Sequence, residues 1–195
     1  MRSTTTLLVV AAGCVYFSVP VFATQAVTIF SNDGDAQKCS AAAHTAAQTN
    51  FASHDALEAC DRALEYGHMK KRDRAATYVN RGIIATALSR FQEAFRNYHQ
   101  AMGIMPDMPE PYIGRGNIYF LAGKLDKSIA DYSRALDLDL GREHVAFLNR
   151  GMAYEKLKQY DAAEEDYRMA LEAVPDWELA QQKLSFVRAR QTVNP

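Results

Sequence analysis

Small and aromatic residues recur at fixed positions in three consecutive stretches of this chain. Each stretch contains a glycine, with an aromatic residue four positions before it, a small residue twelve after, a tyrosine sixteen after and an alanine nineteen after. The glycines are Gly82, Gly116 and Gly151, spaced 34 and 35 residues apart. The remaining positions hold Tyr78, Ala94, Tyr98 and Ala101, then Tyr112, Ser128, Tyr132 and Ala135, then Phe147, Ala163, Tyr167 and Ala170. Such agreement indicates an internal repeat.

Each repeat shows two helical patterns of about fourteen residues, which predicts a helix hairpin. The repeats cover roughly residues 75–108, 109–143 and 144–177. Proline cannot continue a helix interior, and Pro106 and Pro175 close the first and third repeats. In the second repeat Leu140 replaces the proline, and Gly141 and Arg142 provide the break. A hairpin of this length cannot bury its apolar face alone, so the hairpins are expected to stack as a solenoid.

The segments on either side of the repeats are expected to cap the stack. Residues 37–72 are interpreted as a degenerate first hairpin, and the charged residues 70–74 as a solvated linker that joins it to the first full repeat. Residues 178–195 are interpreted as a capping helix and tail, with Ala180, Leu184 and Val187 at helical spacing. Residues 24–36 lack periodicity and are predicted to be a flexible lead-in.

Residues 1–23 have the pattern of a secretory signal peptide. Arg2 precedes an uncharged apolar run, and small residues at positions 21 and 23 fit cleavage before Thr24. We therefore expect export, with a periplasmic or secreted location and no membrane span after cleavage. Two alternatives remain open, a retained membrane anchor and lipidation at Cys14, which lies in a sequence similar to a lipoprotein cleavage box.

After signal cleavage, Cys39 and Cys60 are the cysteines that remain. An even number of cysteines in an oxidising compartment favours a disulfide. An antiparallel first hairpin can bring the two residues together, and the predicted bridge closes a loop of about 22 residues. The alternative is a pair of buried, unbonded thiols.

Glycine and alanine inside these helices are interpreted as packing contacts. Glycine in a helix interior costs roughly 1 kcal/mol relative to alanine, so its recurrence implies that the space is needed. We expect Gly82 to meet Ala94 and Ala101 across its hairpin, with equivalent contacts in the other two repeats. The full set of structural repeat residues is Gly82, Gly116, Gly151, Ala94, Ala101, Ala135, Ala163 and Ala170.

The repeat resembles the tetratricopeptide repeat family from about Gln37 to Trp177. The glycine, the two small positions, the tyrosine and the closing proline match its pattern, while Arg81, Arg115 and Arg150 replace its usual leucine. The Asn-Arg-Gly openings at 80–82 and 149–151 are similar to exported bacterial members. The resemblance implies an all-α, right-handed superhelical solenoid of helix-turn-helix repeats closed by a C-terminal capping helix.

The resemblance also implies a concave groove lined by the first helix of each repeat. Carried over by position, the exposed side of those helices holds the predicted peptide-binding residues Asn80, Ile83, Asn117, Phe120, Asn149 and Met152. Asparagine suits this role because its amide both donates to and accepts from a peptide backbone. The clamp that some members use for a carboxyl-terminal carboxylate needs lysine where this chain has Val79, so that specificity is not predicted.

The three arginines each lie sixteen residues before an acid or an amide, which pairs Arg81 with Asn97, Arg115 with Asp131 and Arg150 with Asp166. A constant offset within the repeat favours a hydrogen bond between the two helices of a hairpin over a role in ligand binding.

Composition and motifs narrow the function classes. The formal net charge of −1 provides no excess of cations for nucleic acid. The five histidines lack metal-site spacing and no glycine-rich phosphate loop is present, so neither an enzyme nor a cofactor is predicted. We expect a non-catalytic module that binds a peptide or partner protein, as an adaptor or assembly factor of the cell envelope. The alternative is a structural protein that self-associates through its terminal repeats.

Overall fold

The computed structural model describes residues 26–30, 33–138, 141 and 143–193. The predicted signal peptide, including Cys14, lies outside them, as do Leu140 and Arg142. Within the described ranges the chain forms nine helices and no strand, which confirms the all-α prediction. The helices are α1 (Gly34–Thr49), α2 (Ala56–Tyr66), α3 (Lys71–Ala87), α4 (Phe91–Ile104), α5 (Glu110–Leu121), α6 (Leu125–Asp137), α7 (Glu143–Lys156), α8 (Tyr160–Ala173) and α9 (Glu178–Val193).

The helices pair as four hairpins followed by a single helix. The hairpins are α1 with α2, α3 with α4, α5 with α6, and α7 with α8, and each packs on the next along the chain. Helix α9 lies on the last hairpin and buries Ala180 and Val187. Its exposed positions include Gln181, Gln182 and Arg188 as well as Phe186, so the free end of the stack meets water with a mainly polar surface that carries one aromatic ring.

Two segments differ from the sequence-based expectation. The charged linker predicted at 70–74 is mostly helix, because α3 begins at Lys71 and buries Asp73 within its first turn. The lead-in predicted to be flexible is packed where the structure describes it, since Val27 and Ile29 are buried. Helix α1 already begins at Gly34, with the Asp33 carboxylate accepting hydrogen bonds from the N–H groups of Asp35 and Ala36.

The glycines at the start of the repeat pattern accommodate tyrosine rings, which the expected contacts with small residues did not include. The hydroxyl of Ser128 also donates a hydrogen bond to the carbonyl oxygen of Gly116 at 3.0 Å, as expected across that hairpin. The expected contacts with alanine stay a prediction. A methyl group on Gly82 would lie 2.6 Å from the ring of Tyr98, and one on Gly114 of the next hairpin would lie 2.3 Å from the same ring. The matching glycines Gly116 and Gly151 face Tyr132 and Tyr167, each at 2.7 Å. The ring therefore occupies the space that the missing side chain leaves.

The turn inside each of the three repeats has the same backbone conformation, although its residue types differ from one repeat to the next. Seven residues after each repeat glycine, the backbone enters the left-handed region, at Ser89 with φ 60°, Gly123 with φ 70° and Lys158 with φ 59°. Glycine tolerates this conformation at the second repeat, while serine and lysine adopt it with some strain.

The predicted arginine pairs are confirmed. Arg115 donates two hydrogen bonds to the carboxylate of Asp131, at 2.8 and 2.7 Å, and Arg150 donates two to Asp166, at 2.9 and 2.7 Å. Arg81 donates to the side-chain oxygen of Asn97 at 3.2 Å. The fork geometry joins α5 to α6 and α7 to α8, while a single hydrogen bond joins α3 to α4.

Cys39 and Cys60 form a disulfide that joins α1 to α2, with their Cα atoms 4.8 Å apart. Both residues are fully buried. The bridge therefore links the two helices of the first hairpin, which has only one neighbouring hairpin to support it.

We predict that replacing both Cys39 and Cys60 with alanine lowers the free energy of unfolding by about 3 kcal/mol, because the bridge closes a loop across 21 residues of sequence separation. Urea unfolding followed by circular dichroism measures the change. Reductant should destabilise the wild type and leave the double variant unaffected; an equal response of both proteins would contradict the prediction.

A matched pair of glycine substitutions tests the contact between glycine and tyrosine. Gly116→Ala should destabilise the fold by about 1 to 3 kcal/mol, because a methyl group there would lie 2.7 Å from the buried Tyr132 ring. Gly103→Ala, in α4, places its methyl group in open space and should stabilise the fold by up to about 1 kcal/mol through helix propensity. Thermal unfolding measures the change in stability of both variants, which should have opposite signs. If both variants are stabilised or both destabilised, the packing argument is refuted.

Candidate functional site

The first helices of the hairpins form one side of the stack, which we call the inner face. Backbones of consecutive first helices, α1 with α3, α3 with α5, α5 with α7 and α7 with α9, approach within 8 Å. Among the described residues, none of the second helices α2, α4, α6 and α8 comes that close to the next second helix. The side on which consecutive helices are closer is the inside of the curve, so the inner face is concave.

The six predicted groove residues lie on first helices, but they are not exposed. The relative exposure of each side chain lies between 0 and 5%. The six residues are Asn80, Ile83, Asn117, Phe120, Asn149 and Met152. The expectation that they form an open surface is therefore corrected: neighbouring first helices are close enough to bury these positions. Their contact with a partner stays a prediction.

Asn80 shows what a buried asparagine on this face can do. Its side-chain oxygen accepts a hydrogen bond from the N–H of Val27 at 2.8 Å, and its amide nitrogen donates to the carbonyl oxygen of Val27 at 2.8 Å. One amide therefore satisfies both backbone polar groups of one residue. Ser40 of α1 donates a second hydrogen bond to the same carbonyl at 3.0 Å.

The contacts continue along residues 26–30, which we call the N-terminal segment. The N–H of Phe30 donates to the carboxylate of Asp73 at 3.2 Å. Arg72 donates to the carbonyl of Thr28 at 3.4 Å, and its guanidinium lies 4.9 Å from the centre of the Phe30 ring. The segment is thus held by side chains of α1 and α3 that bind mainly to its backbone.

The spacing of these contacts defines the direction of the segment. Asn80 and Asp73 lie seven residues apart on one face of α3, or about 10.5 Å at roughly 1.5 Å per residue. Their partners Val27 and Phe30 lie three residues apart, or about 10 Å at roughly 3.3 Å per extended residue. The two lengths match, so the segment is extended and runs antiparallel to α3.

The C-terminal half of the inner face carries charged groups above a buried amide cluster. Lys156 lies 4.4 Å from the centre of the Phe120 ring, linking α7 to α5. Glu155 accepts hydrogen bonds from Tyr167 at 2.7 Å and from Lys183 of α9 at 3.0 Å. Burial, and then the carboxylate of Glu155, raise the pKa of the Tyr167 hydroxyl, which therefore stays protonated as a donor.

The buried amide cluster lies between α5 and α7. The side-chain oxygen of Asn117 accepts hydrogen bonds from the hydroxyl of Tyr132 at 2.7 Å and from the amide of Asn149 at 3.1 Å. These contacts place two of the predicted groove residues in a network that supports the hairpins from within. Replacing either asparagine would therefore disturb packing as well as any surface above it.

His99, on the second helix α4, has a shifted pKa. Arg115 donates a hydrogen bond to Nε2 of His99 at 3.1 Å, which requires that nitrogen to be unprotonated. Burial and the positive charge of Arg115 lower the pKa of His99, and Asp131 opposes the shift. The neutral ring also packs against Phe95, with the ring centres 4.7 Å apart.

The described residues contain no cluster of three potential metal ligands. In the same part of the chain, every helix is too short or too polar to cross a bilayer.

Comparison with known proteins finds similarity in the C-terminal repeats. The stacked hairpins and the inner face define an all-helical repeat protein. The tetratricopeptide repeat model matches residues 109–139 and 144–176, which is about a third of the chain. The second and third predicted repeats are therefore similar to tetratricopeptide repeats, as the resemblance predicted.

The curated relatives are much longer proteins. The human protein O-mannosyl-transferase TMTC3 is 31% identical over 105 residues, which cover 53% of this chain and 11% of that protein. The human tetratricopeptide repeat protein 6 is 32% identical over 91 residues, covering 47% of this chain and 17% of that protein. The chain thus spans only a small part of either relative.

Solved structures show the same fold. The first such domain of Spaghetti (RPAP3), bound to the HSP90 peptide SRMEEVD, has a TM-score of 0.59 and 23% identity, covering 62% of this chain and 95% of that one. The second domain of human RPAP3, in complex with the HSP70 peptide SGPTIEEVD, has a TM-score of 0.56 and 22% identity, covering 61% and 98%. At such identities the likeness concerns the fold alone.

Sequence reasoning did not find the residues that hold the N-terminal segment. Ser40 and Asp73 belong to no repeated position, and residues 26–30 were assigned to a flexible lead-in. A weak signal was present, because Val27 and Ile29 alternate with Thr28 as in an extended strand with one buried side.

We predict that His99→Gln reduces the loss of stability on acidification from pH 7.5 to 5.5. The pKa of His99 is about 6.5 when unfolded and lower when folded, so the unfolded chain binds more protons between those values and stability falls as pH falls. Glutamine keeps an acceptor for Arg115 without this titration. Urea unfolding at both pH values measures the difference, and identical pH slopes in the two proteins would rule out the assignment.

Proposed function

We propose that this chain is a non-catalytic protein-interaction module that binds an extended peptide segment on its inner face. The observation that carries the proposal is the pair of hydrogen bonds between Asn80 and Val27, in which the amide oxygen accepts from the N–H and the amide nitrogen donates to the carbonyl oxygen. Contacts of this type recognise the backbone of any extended chain, while side-chain pockets add specificity. The inner face therefore already displays the chemistry needed to hold a peptide.

The solved structures of similar fold support the same conclusion. Two of them are described as bound to peptides of HSP90 and HSP70. We carry over the mode of action, a peptide held by a helical repeat scaffold, and not those particular ligands. The low identity and the valine at position 79 give no reason to expect the same sequence preference.

We further propose that the module acts outside the cytoplasm, as an adaptor or assembly factor of the cell envelope in a bacterium. The signal-like pattern of residues 1–23 supports export. The disulfide between Cys39 and Cys60 supports an oxidising compartment, where such bonds persist. The polar outer surface of α9 supports a capped stack over end-to-end self-association.

The test uses peptides selected for binding to the full chain. Random dodecapeptides displayed on phage are selected on the immobilised protein, and their affinities for wild type and Lys156→Glu are measured by fluorescence polarisation. Lys156 is exposed on the inner face above the Phe120 ring, so reversing its charge should weaken selected peptides at least tenfold.

The matched control is Arg96→Glu, the same reversal of charge at an exposed position of the second helix α4. We expect it to leave the affinities unchanged. If the affinities of the selected peptides change with Arg96→Glu and not with Lys156→Glu, the peptides bind the outer surface, and the proposed function is refuted.

A further inference from the structure

The N-terminal segment has the features of a peptide ligand that happens to be covalently attached. Its side chains alternate, with Val27 and Ile29 buried and Thr28 and Phe30 exposed, the latter at 74%. This period of two is the signature of an extended strand with one face against a surface. The helices beneath it are complete without it, since α1 and α3 also pack directly on each other.

The hydrogen bonds that hold the segment are made to its backbone. Asn80 binds the N–H and carbonyl of Val27, Asp73 accepts from the N–H of Phe30, and Ser40 donates to the Val27 carbonyl. None of these bonds depends on the side chains of Val27 or Phe30. Another extended chain could therefore make the same set.

Departure of the segment would remove hydrogen-bond partners from two side chains of α3. With the segment in place, Asp73 is only 3% exposed and Asn80 is fully buried. Loss of the segment would remove the backbone donor from the Asp73 carboxylate and both backbone partners from the Asn80 amide. Another extended backbone in the same place would restore these hydrogen bonds.

Side-chain specificity comes from the two buried positions. Val27 and Ile29 are β-branched and apolar, and they belong to the same buried cluster as Ala36, Cys39, Ala76 and Ile83. A ligand needs apolar side chains two positions apart, so that both point to the same side of an extended chain. β-Branched residues suit these positions because they favour the extended conformation.

We propose that the surface formed by α1 and α3 is a binding site for a partner peptide in extended conformation, with two β-branched apolar residues two positions apart, and that residues 26–30 occupy it as an internal competitor. The inference rests on the proposed function and adds the location of the site, the chemistry of its ligand and its regulation. The partner enters antiparallel to α3 and displaces the segment. A tethered competitor acts at an effective concentration of about millimolar, so it sets a threshold for the concentration at which the partner binds.

The first experiment ejects the segment from the full chain. The double variant Val27→Asp, Ile29→Asp places two charges where the segment is buried. A fluorescein-labelled peptide with the sequence of residues 24–32 is then titrated into each protein. We expect saturable binding to the double variant, at least tenfold tighter than to wild type, in which the attached copy competes.

Two controls separate this result from a general effect of charge. Thr28→Asp adds a negative charge on the exposed side of the segment and should leave peptide binding as weak as in wild type. Adding Asn80→Asp to the double variant replaces the donor to the Val27 carbonyl with a carboxylate oxygen and should weaken peptide binding at least tenfold. If the double variant is folded but binds no peptide, or if Asn80→Asp has no effect, the proposal is wrong.

A second measurement uses the wild-type chain, with the segment in place. In nuclear magnetic resonance spectra of the 15N-labelled wild-type chain, excess unlabelled peptide should move the amide signals of Val27 and Phe30 to their unbound positions. Signals that stay in place at millimolar peptide would overturn the internal competitor. Because the phage test probes Lys156, on the other half of the inner face, it can succeed while these experiments fail.

Discussion

The architecture depends on the contact between a tyrosine ring and a glycine that leaves space for it. Tyr98 lies against Gly82 of its own hairpin and Gly114 of the next, so one ring joins two helices of a hairpin and also two hairpins of the stack. The ring is buried, and a side chain on either glycine would overlap it. Loss of bulk on the first helices thus allows an aromatic ring to fill the junction. The contact within the hairpin recurs between Gly116 and Tyr132 and between Gly151 and Tyr167.

Hydrogen-bonded pairs between first and second helices complement this contact. Arg115 with Asp131 joins α5 to α6, and Arg150 with Asp166 joins α7 to α8. Between hairpins, the first helices approach one another and the second helices do not. The concave surface follows from this closer approach of the first helices.

Close approach of the first helices also determines what the inner face presents. It buries positions such as Asn117 and Asn149, which interact with each other. Where Asn80 meets an extended backbone, the same residue type binds both polar groups of that backbone. The face therefore combines internal support with recognition, and the difference between the two roles lies in whether a neighbouring helix or a peptide strand lies across the amide.

Spacing along the chain predicts the repeat, the helical class and the arginine pairs, because helix geometry turns a fixed spacing directly into contact. The even number of cysteines favours the disulfide, which the structure contains. The sequence could not reveal that Gly82 faces Tyr98, that the six groove residues are buried, or that residues 26–30 lie on α3. Those features were decided by the tertiary structure. They join parts of the chain that share no periodicity, and burial depends on the distance between neighbouring helices, which a local pattern does not encode.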